Sequence, residues 1–203
     1  MSWFRAPSAW FNDNLISFMY DYFTYEKFST DSNRVQFVNP ATVFVIMHEN
    51  DDEDLIPVVE SLELFKYEIS IFPVNNSTSM MQAGSGSHWS LVVFQSRANT
   101  FYHFDSMNQT NRSSARLLVR QIDKVSGSSI QLILKGAHCP QQGNTYDCGV
   151  YAVEMSDRIA EWYCSTNSKP SVLEFNADIE PNDIPKCRQS VRQLIEKIAN
   201  AGR

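Results

Sequence analysis

The chain has no long apolar run. The longest, Val43 to Met47, is far too short to cross a bilayer. Its start, Met1-Ser2-Trp3-Phe4-Arg5-Ala6-Pro7, has none of the extended apolar stretch of a secretory leader, so no signal peptide is expected. Cysteine is scarce: four residues, at 139, 148, 164 and 187, whose irregular spacing fits neither a disulfide framework nor a CxxC zinc site. A reducing compartment, cytoplasm or nucleus, fits that usage. The carboxylates of Glu49 to Asp54 lack the spacing and glycine of a calcium loop and read as a solvated turn or helix start. Positive charge is in deficit, with 17 Lys and Arg against 23 Asp and Glu, a net −6. That argues against nucleic acid as the main partner and is compatible with a basic protein partner. Internal repeats and low-complexity tracts are absent too.

What is present is ordinary for a globular protein: 43% hydrophobic and 20% charged residues in 203, expected as one domain spanning 1–203 with a full core. Phe11, Leu15, Phe18, Tyr22 and Phe11, Leu15, Met19, Phe23 form two helical stripes, with Asn12 or Asp13 as N-cap. Asn39-Pro40 opens a second helix that runs to about His48. Residues 58–65 fit helix or strand. Strands are expected over 68–74, 88–94, 100–105 and 130–134, and helices over 112–125, 148–163 and 190–201. Residues 165–185 read as mostly loop. This order gives an α+β fold with a mixed central sheet flanked by helices. Between the strands, 75–87 is a polar loop long enough to suggest a function.

Cys148 falls where a polar loop meets a helix with a periodic face of Ala152, Ser156, Ile159, Ala160 and Tyr163. A helix N-terminus favours an anion, and for cysteine that anion is the reactive thiolate. Gly149 would let backbone approach a ligand closely. A buried structural cysteine is nevertheless the commoner fate, and position alone does not choose between them. A cysteine nucleophile also needs a base, and the base an orienting group. His48 reads as a solvated cap, and His138 has no ligand spacing around it. That leaves His88 and His103, both on the 88–105 hairpin. A two- or four-residue turn pairs residues whose numbers sum to 195. His88 and Asp105 then share a face one diagonal apart, roughly 7–8 Å between Cα atoms, within reach of a hydrogen bond. A three-residue turn would put them on opposite faces. His103 lies on the same face but has no acidic partner as well placed. Gln142 is either an oxyanion donor or a turn glutamine. Trp89 either shields the base and lines a channel or fills the core, and Trp10 is either a core anchor or a ligand contact.

Together these residues resemble a known family. His88-Trp89-Ser90, Asp105-Ser106 and Gln142-Gly143-Asn144-Thr145-Tyr146-Asp147-Cys148-Gly149, in that order, resemble the Ulp-type, or sentrin-specific, cysteine proteases that process ubiquitin-like modifiers. Trp10-Phe11-Asn12-Asp13 resembles their WLND motif, with Phe11 in place of Leu. The likeness covers roughly 8–165, and the polar, Gly-rich loop before His88 resembles the deneddylase branch more than the SUMO branch. Nine residues precede Trp10, so the family's initial segment is expected to be shortened or missing. The resemblance implies a papain-like fold with Cys148 as nucleophile, His88 as general base, Asp105 as its orienting partner and Gln142 in the oxyanion hole. It also implies that Trp10 and Trp89 clamp a Gly-Gly tail and that Asp13 pairs with a basic residue of the modifier. The implied partner is a ubiquitin-like protein, NEDD8 first. A monomer is expected, with no metal, organic cofactor, nucleic acid or membrane.

Three other readings compete: the same chemistry on SUMO or ubiquitin, an acyltransferase, and a catalytically idle module that binds a ubiquitin-like protein. Two tryptophans at a tail channel argue against the acyltransferase, and the presence of all four catalytic residue types argues against the idle module.

Overall fold

Strand β3 (Trp89–Gln95) is buried along its whole length, as a strand must be when helices cover both faces of its sheet. Its alternation feeds two cores. Trp89, Leu91 and Val93 face one, and Val92 and Phe94 face the other. The computed structural model describes residues 8–78, 86–126, 132–166, 171–176, 179–180 and 182–201. Among them, β1 (Val35–Phe37), β2 (Ile69–Asn75), β3, β4 (Thr100–Phe104) and β5 (Ile133–Gly136) form one sheet in sequence order. The outer pairs are parallel and the inner two antiparallel, so the sheet is mixed as expected. Helices α1 (Asp13–Tyr22), α5 (Cys148–Ser165) and α6 (Asp183–Ala201) cover one face, and α2 (Pro40–His48), α3 (Asp52–Glu60) and α4 (Arg112–Val125) cover the other.

Local chemistry sets the helix starts. Asn12 Oδ1 accepts from Leu15 N at 3.1 Å and caps α1. Asn39 caps α2, with Pro40 in its first turn. The acidic stretch is the start of α3: Asp51 caps it, and Asp52, Glu53 and Asp54 lie at the positive end of its dipole. The ambiguous 58–65 segment is the end of α3 followed by a turn with Glu63 at φ 45°. Two boundaries differ from the sequence expectation. Helix α6 begins at Asp183 rather than 190, because Pro185 lies in its first turn, where a missing N–H costs nothing. The last strand runs 133–136 rather than 130–134, with 130 and 131 outside the described residues. So are 79–85, the centre of the polar loop. No described helix is long and apolar enough to cross a membrane.

The β3–β4 hairpin carries the decisive register. Leu91 faces Phe104 and Val92 faces His103, the expected sum of 195, across a four-residue connection that closes with Asn99 in the left-handed region at φ 46°. His88 therefore enters the sheet, and Asp105 leaves it, on the same face.

One buried contact locks α1 to α5. Ser156 Oγ donates to Ala152 O at 2.7 Å, so the Tyr20 hydroxyl, 2.8 Å away, donates to Ser156 Oγ. Burial pushes the Tyr20 hydroxyl well above its ordinary pKa, against the opposing effect of the Ser156 bond. Ser156→Ala leaves that hydroxyl buried without a partner and should cost about 1–3 kcal/mol. Tyr20→Phe should cost less, and the double variant no more than Ser156→Ala alone. Urea unfolding of the three variants checks this ordering.

Candidate active site

Three chain segments meet at one end of the sheet, where β3 begins, β4 ends and α5 starts. His88 Nε2 donates to Asp105 Oδ1 at 2.6 Å, with both side chains buried. Cys148 is the first residue of α5 and is 2% exposed. Its charge is one of the influences that raise the His88 imidazole. His88 Nδ1, the ring nitrogen not used by Asp105, is buried and has no hydrogen-bond partner among the described residues. The structure thus brings His88 and Asp105 together as the hairpin register implied, and places Cys148 at a helix start as its periodic face implied.

The carboxylate is held from several directions. Asp105 Oδ1 also accepts from Met107 N at 2.9 Å, and Oδ2 accepts from Asn111 N at 2.8 Å. Burial pushes the Asp105 carboxyl up, but the bonds from His88, Asn111 and Met107 outweigh it and hold it below the ordinary value. Burial likewise works to lower His88. The hydrogen bond and charge of Asp105, with those of Cys148, overcome it and raise His88 to about 9. The imidazole is therefore positive at neutral pH. A positive imidazole and a helix N-terminus are two features that stabilise a thiolate. Among the other described cysteines, burial first of all raises Cys139 to about 12, Cys164 to about 11, and Cys187 well above its ordinary value.

His103 differs from His88 in its surroundings. Burial, aided by the charges of His88 and Arg112, lowers it to about 4 against the pull of Asp105. It is neutral, with Nε2 3.1 Å from Ser90 Oγ. His48 ends α2 half-buried against Phe44, with Nε2 buried and without a partner among the described residues rather than solvated as expected, and His138 is exposed.

Two asparagines that sequence reasoning missed build the frame. Asn111 is wholly buried, and its Nδ2 donates to Val74 O at 2.8 Å and Ser90 Oγ at 2.9 Å, joining β2 and β3 to the turn that holds Asp105. Asn76 Oδ1 accepts from both Ser87 N (2.7 Å) and His88 N (2.9 Å), fixing the backbone of the histidine. The visible hint was that each is an asparagine beside a catalytic strand, a weak signal in polar loops.

Gln142 lies in the loop before Cys148 with its amide anchored at both ends. Oε1 accepts from Ser106 Oγ at 2.7 Å, and Nε2 donates to Asn144 O at 2.6 Å, using one of its two hydrogens. Trp89 is 8% exposed and packs in the α1–α5 core, whereas Trp10 is 44% exposed. Asp13 is exposed at the first turn of α1. The absent Cβ of Gly149 serves a different neighbour from the one expected. A Cβ there would lie 2.7 Å from Phe11 Cβ and 2.8 Å from Phe11 O, so the space belongs to the segment ahead of α1 and not to a ligand. That close approach places Trp10 and Asp13 beside the start of α5. Among the described residues, no group of three or more His, Cys, Asp or Glu side chains could hold a metal ion.

Residues 9–202 match the Ulp1 protease family, C-terminal catalytic domain. Sentrin-specific protease 8 of Homo sapiens is 27% identical over 194 residues, 95% of this chain and 89% of that protein. NEDD8-specific protease 1 of Arabidopsis thaliana is 30% identical over 190 residues, 92% of this chain and 83% of that protein. The C-terminal Ulp1 protease domain solved in complex with Smt3, the yeast ortholog of SUMO, superposes with a TM-score of 0.65 at 20% identity, over 96% of this chain and 80% of that one. The chain belongs to the Ulp1 protease family and is a cysteine peptidase.

The sign of the His88 shift makes a test. Its folded value of about 9 lies above the ordinary 6.5. The ion pair's stabilisation is therefore fully present below about 6.5 and is lost as pH rises through about 9. NMR titration of the His88 ring should centre near pH 9. In Asp105→Asn, which removes the charge that raises it, the midpoint should move to lower pH.

Proposed function

We propose that this peptidase cleaves after the C-terminal Gly-Gly of a ubiquitin-like modifier, with NEDD8 the preferred one, in precursor processing, deconjugation or both. The observation that carries the reading is the buried His88, bonded through Nε2 to Asp105 with its other nitrogen left for the Cys148 side of the site. In this reading Cys148 sulfur attacks the carbonyl carbon of the terminal glycine, and His88, protonated at neutral pH, gives its proton to the departing amine. The thioester left on Cys148 is opened by water, whose proton passes to His88. Asp105 keeps the ring oriented throughout. The oxyanion is met by the backbone N–H of Cys148 and the second amide hydrogen of Gln142, whose orientation Ser106 sets. Trp10, exposed beside the start of α5, and Trp89, on the strand that begins at His88, border the tail, and Asp13 offers a carboxylate to a basic residue of the modifier. A narrow channel between indoles favours residues without a Cβ.

Support for NEDD8 comes from the Arabidopsis relative, named for that modifier and matched over most of both chains. The domain solved with Smt3 favours SUMO as the second reading. C-terminal electrophile probes built on NEDD8, SUMO and ubiquitin separate them: NEDD8 should label Cys148 fastest, and equal labelling removes the preference. Cys148→Ala should abolish cleavage while leaving modifier binding largely intact. Replacing the penultimate glycine of the modifier with alanine should sharply slow hydrolysis, and unchanged rates would show that the tryptophans do not gate the tail.

A further inference from the structure

The residue immediately before Cys148 is an aspartate, and the structure treats it unusually. An Asp at a helix N-cap ordinarily turns its carboxylate onto the first free N–H groups. Asp147 has αR backbone angles and makes no such cap bond. Its carboxylate is turned to Arg188 of α6 instead: Oδ1 accepts from Arg188 Nε at 2.9 Å and from Nη2 at 2.5 Å. Both side chains are largely buried, 15% and 11% exposed. Asn144 Nδ2 donates to the other carboxylate oxygen at 2.6 Å.

The remaining donors of the same guanidinium reach the backbone of that same loop and one further segment. Nη2 donates to Tyr146 O at 3.3 Å, and Nη1 donates to Ala9 O at 2.6 Å, one residue before Trp10. The guanidinium also lies 5.2 Å from the Phe11 ring centroid and 5.9 Å from that of Tyr146. Phe11 is the residue that occupies the space over Gly149.

We propose that Arg188 is a positioning residue with two effects on the reaction. It neutralises the Asp147 carboxylate and holds it away from the start of α5, so that no unpaired anion opposes a thiolate on Cys148 or competes with the oxyanion for the helix N–H groups. It also ties the segment carrying Trp10 to the loop carrying the nucleophile. The first effect rests on Coulomb's law at short range in a poorly solvated place: an uncompensated carboxylate beside the sulfur opposes a second negative charge. The second rests on the rigid planar fork of the guanidinium, which grips the Asp147 carboxylate while its other donors reach Tyr146 O and Ala9 O, a geometry an ammonium on a flexible stem does not hold as rigidly. This inference depends on Cys148 being the nucleophile, as proposed above.

The test compares Arg188→Met, Arg188→Lys and the double variant Arg188→Met/Asp147→Ala with wild type. Alkylation of Cys148 by iodoacetamide is followed by peptide mass spectrometry across pH, and kcat and KM are measured separately on a modifier substrate. In Arg188→Met, Cys148 alkylation near neutral pH should slow by about tenfold or more and its pH profile should move alkaline, with kcat falling on a similar scale. In the double variant the alkylation rate should return to within a few-fold of wild type, since the offending charge has gone. KM should stay raised, because the hold on Ala9 is still missing. Arg188→Lys should keep most of the thiol reactivity through its charge. Thermal unfolding of each variant shows that it is folded at the assay temperature. The proposal is overturned if Arg188→Met alkylates like wild type, if the double variant is no faster than Arg188→Met, or if Arg188→Lys is as slow as Arg188→Met. Alkylation needs no modifier, so a wild type that cleaved none would refute the substrate assignment and leave this comparison readable.

Discussion

A single buried carboxylate organises the active end of the molecule. Removing an ionised aspartate from water is costly unless its oxygens are fully engaged. Asp105 meets that condition with three donors from three places: the His88 ring, the Met107 amide and the Asn111 amide. Each donor requires a larger piece of structure. His88 requires the hairpin register, Met107 the turn leaving β4, and Asn111 the start of α4 packed against β2. A slip of one residue in the hairpin would send His88 to the opposite face, leaving the carboxylate short of a partner and taking the imidazole away from Cys148. The chemistry and the fold are thus specified by the same bonds.

The nucleophile side is built differently. Cys148 gains its place from helix α5, and α5 is fixed by what packs on it: Tyr20 bonded to Ser156, and Phe11 seated where Gly149 has no side chain. The Phe11–Gly149 contact therefore sets the segment ahead of α1 against the helix turn that carries Cys148. In the proposed reading, tail recognition and bond cleavage would share a mechanical origin at the α1–α5 junction.

Much of this was legible in the sequence because it obeys short periods. Alternation in 88–94 and 100–105, with a turn of even length, put His88 and Asp105 on one face, and the helical period after Asp147 put Cys148 at a helix start. What escaped was of another kind. Asn76, Asn111 and Arg188 act through backbone carbonyls or amides, or through residues far along the chain; Arg188 reaches Ala9 and Asp147. No period marks an asparagine in a polar loop or an arginine on a surface helix as a structural hub. Gly149 was misread because a glycine's missing side chain does not say which neighbour fills the space. Helix α6 was started late because Pro185 reads as a breaker unless its place in the first turn is known.

Asn76 has a consequence for how such an enzyme can diversify. By accepting from Ser87 and His88 while its own amide donates to Ser87 Oγ, it draws the two ends of the intervening loop together directly before the histidine. Closing a longer loop on fixed ends costs little extra entropy, since the penalty grows only with the logarithm of length. Insertions or exchanges inside the loop need not travel into the catalytic strand. The start of β3 is thus held from the β2 side by one side chain, so a change of length between residues 76 and 87 need not shift the register that brings His88 to Asp105.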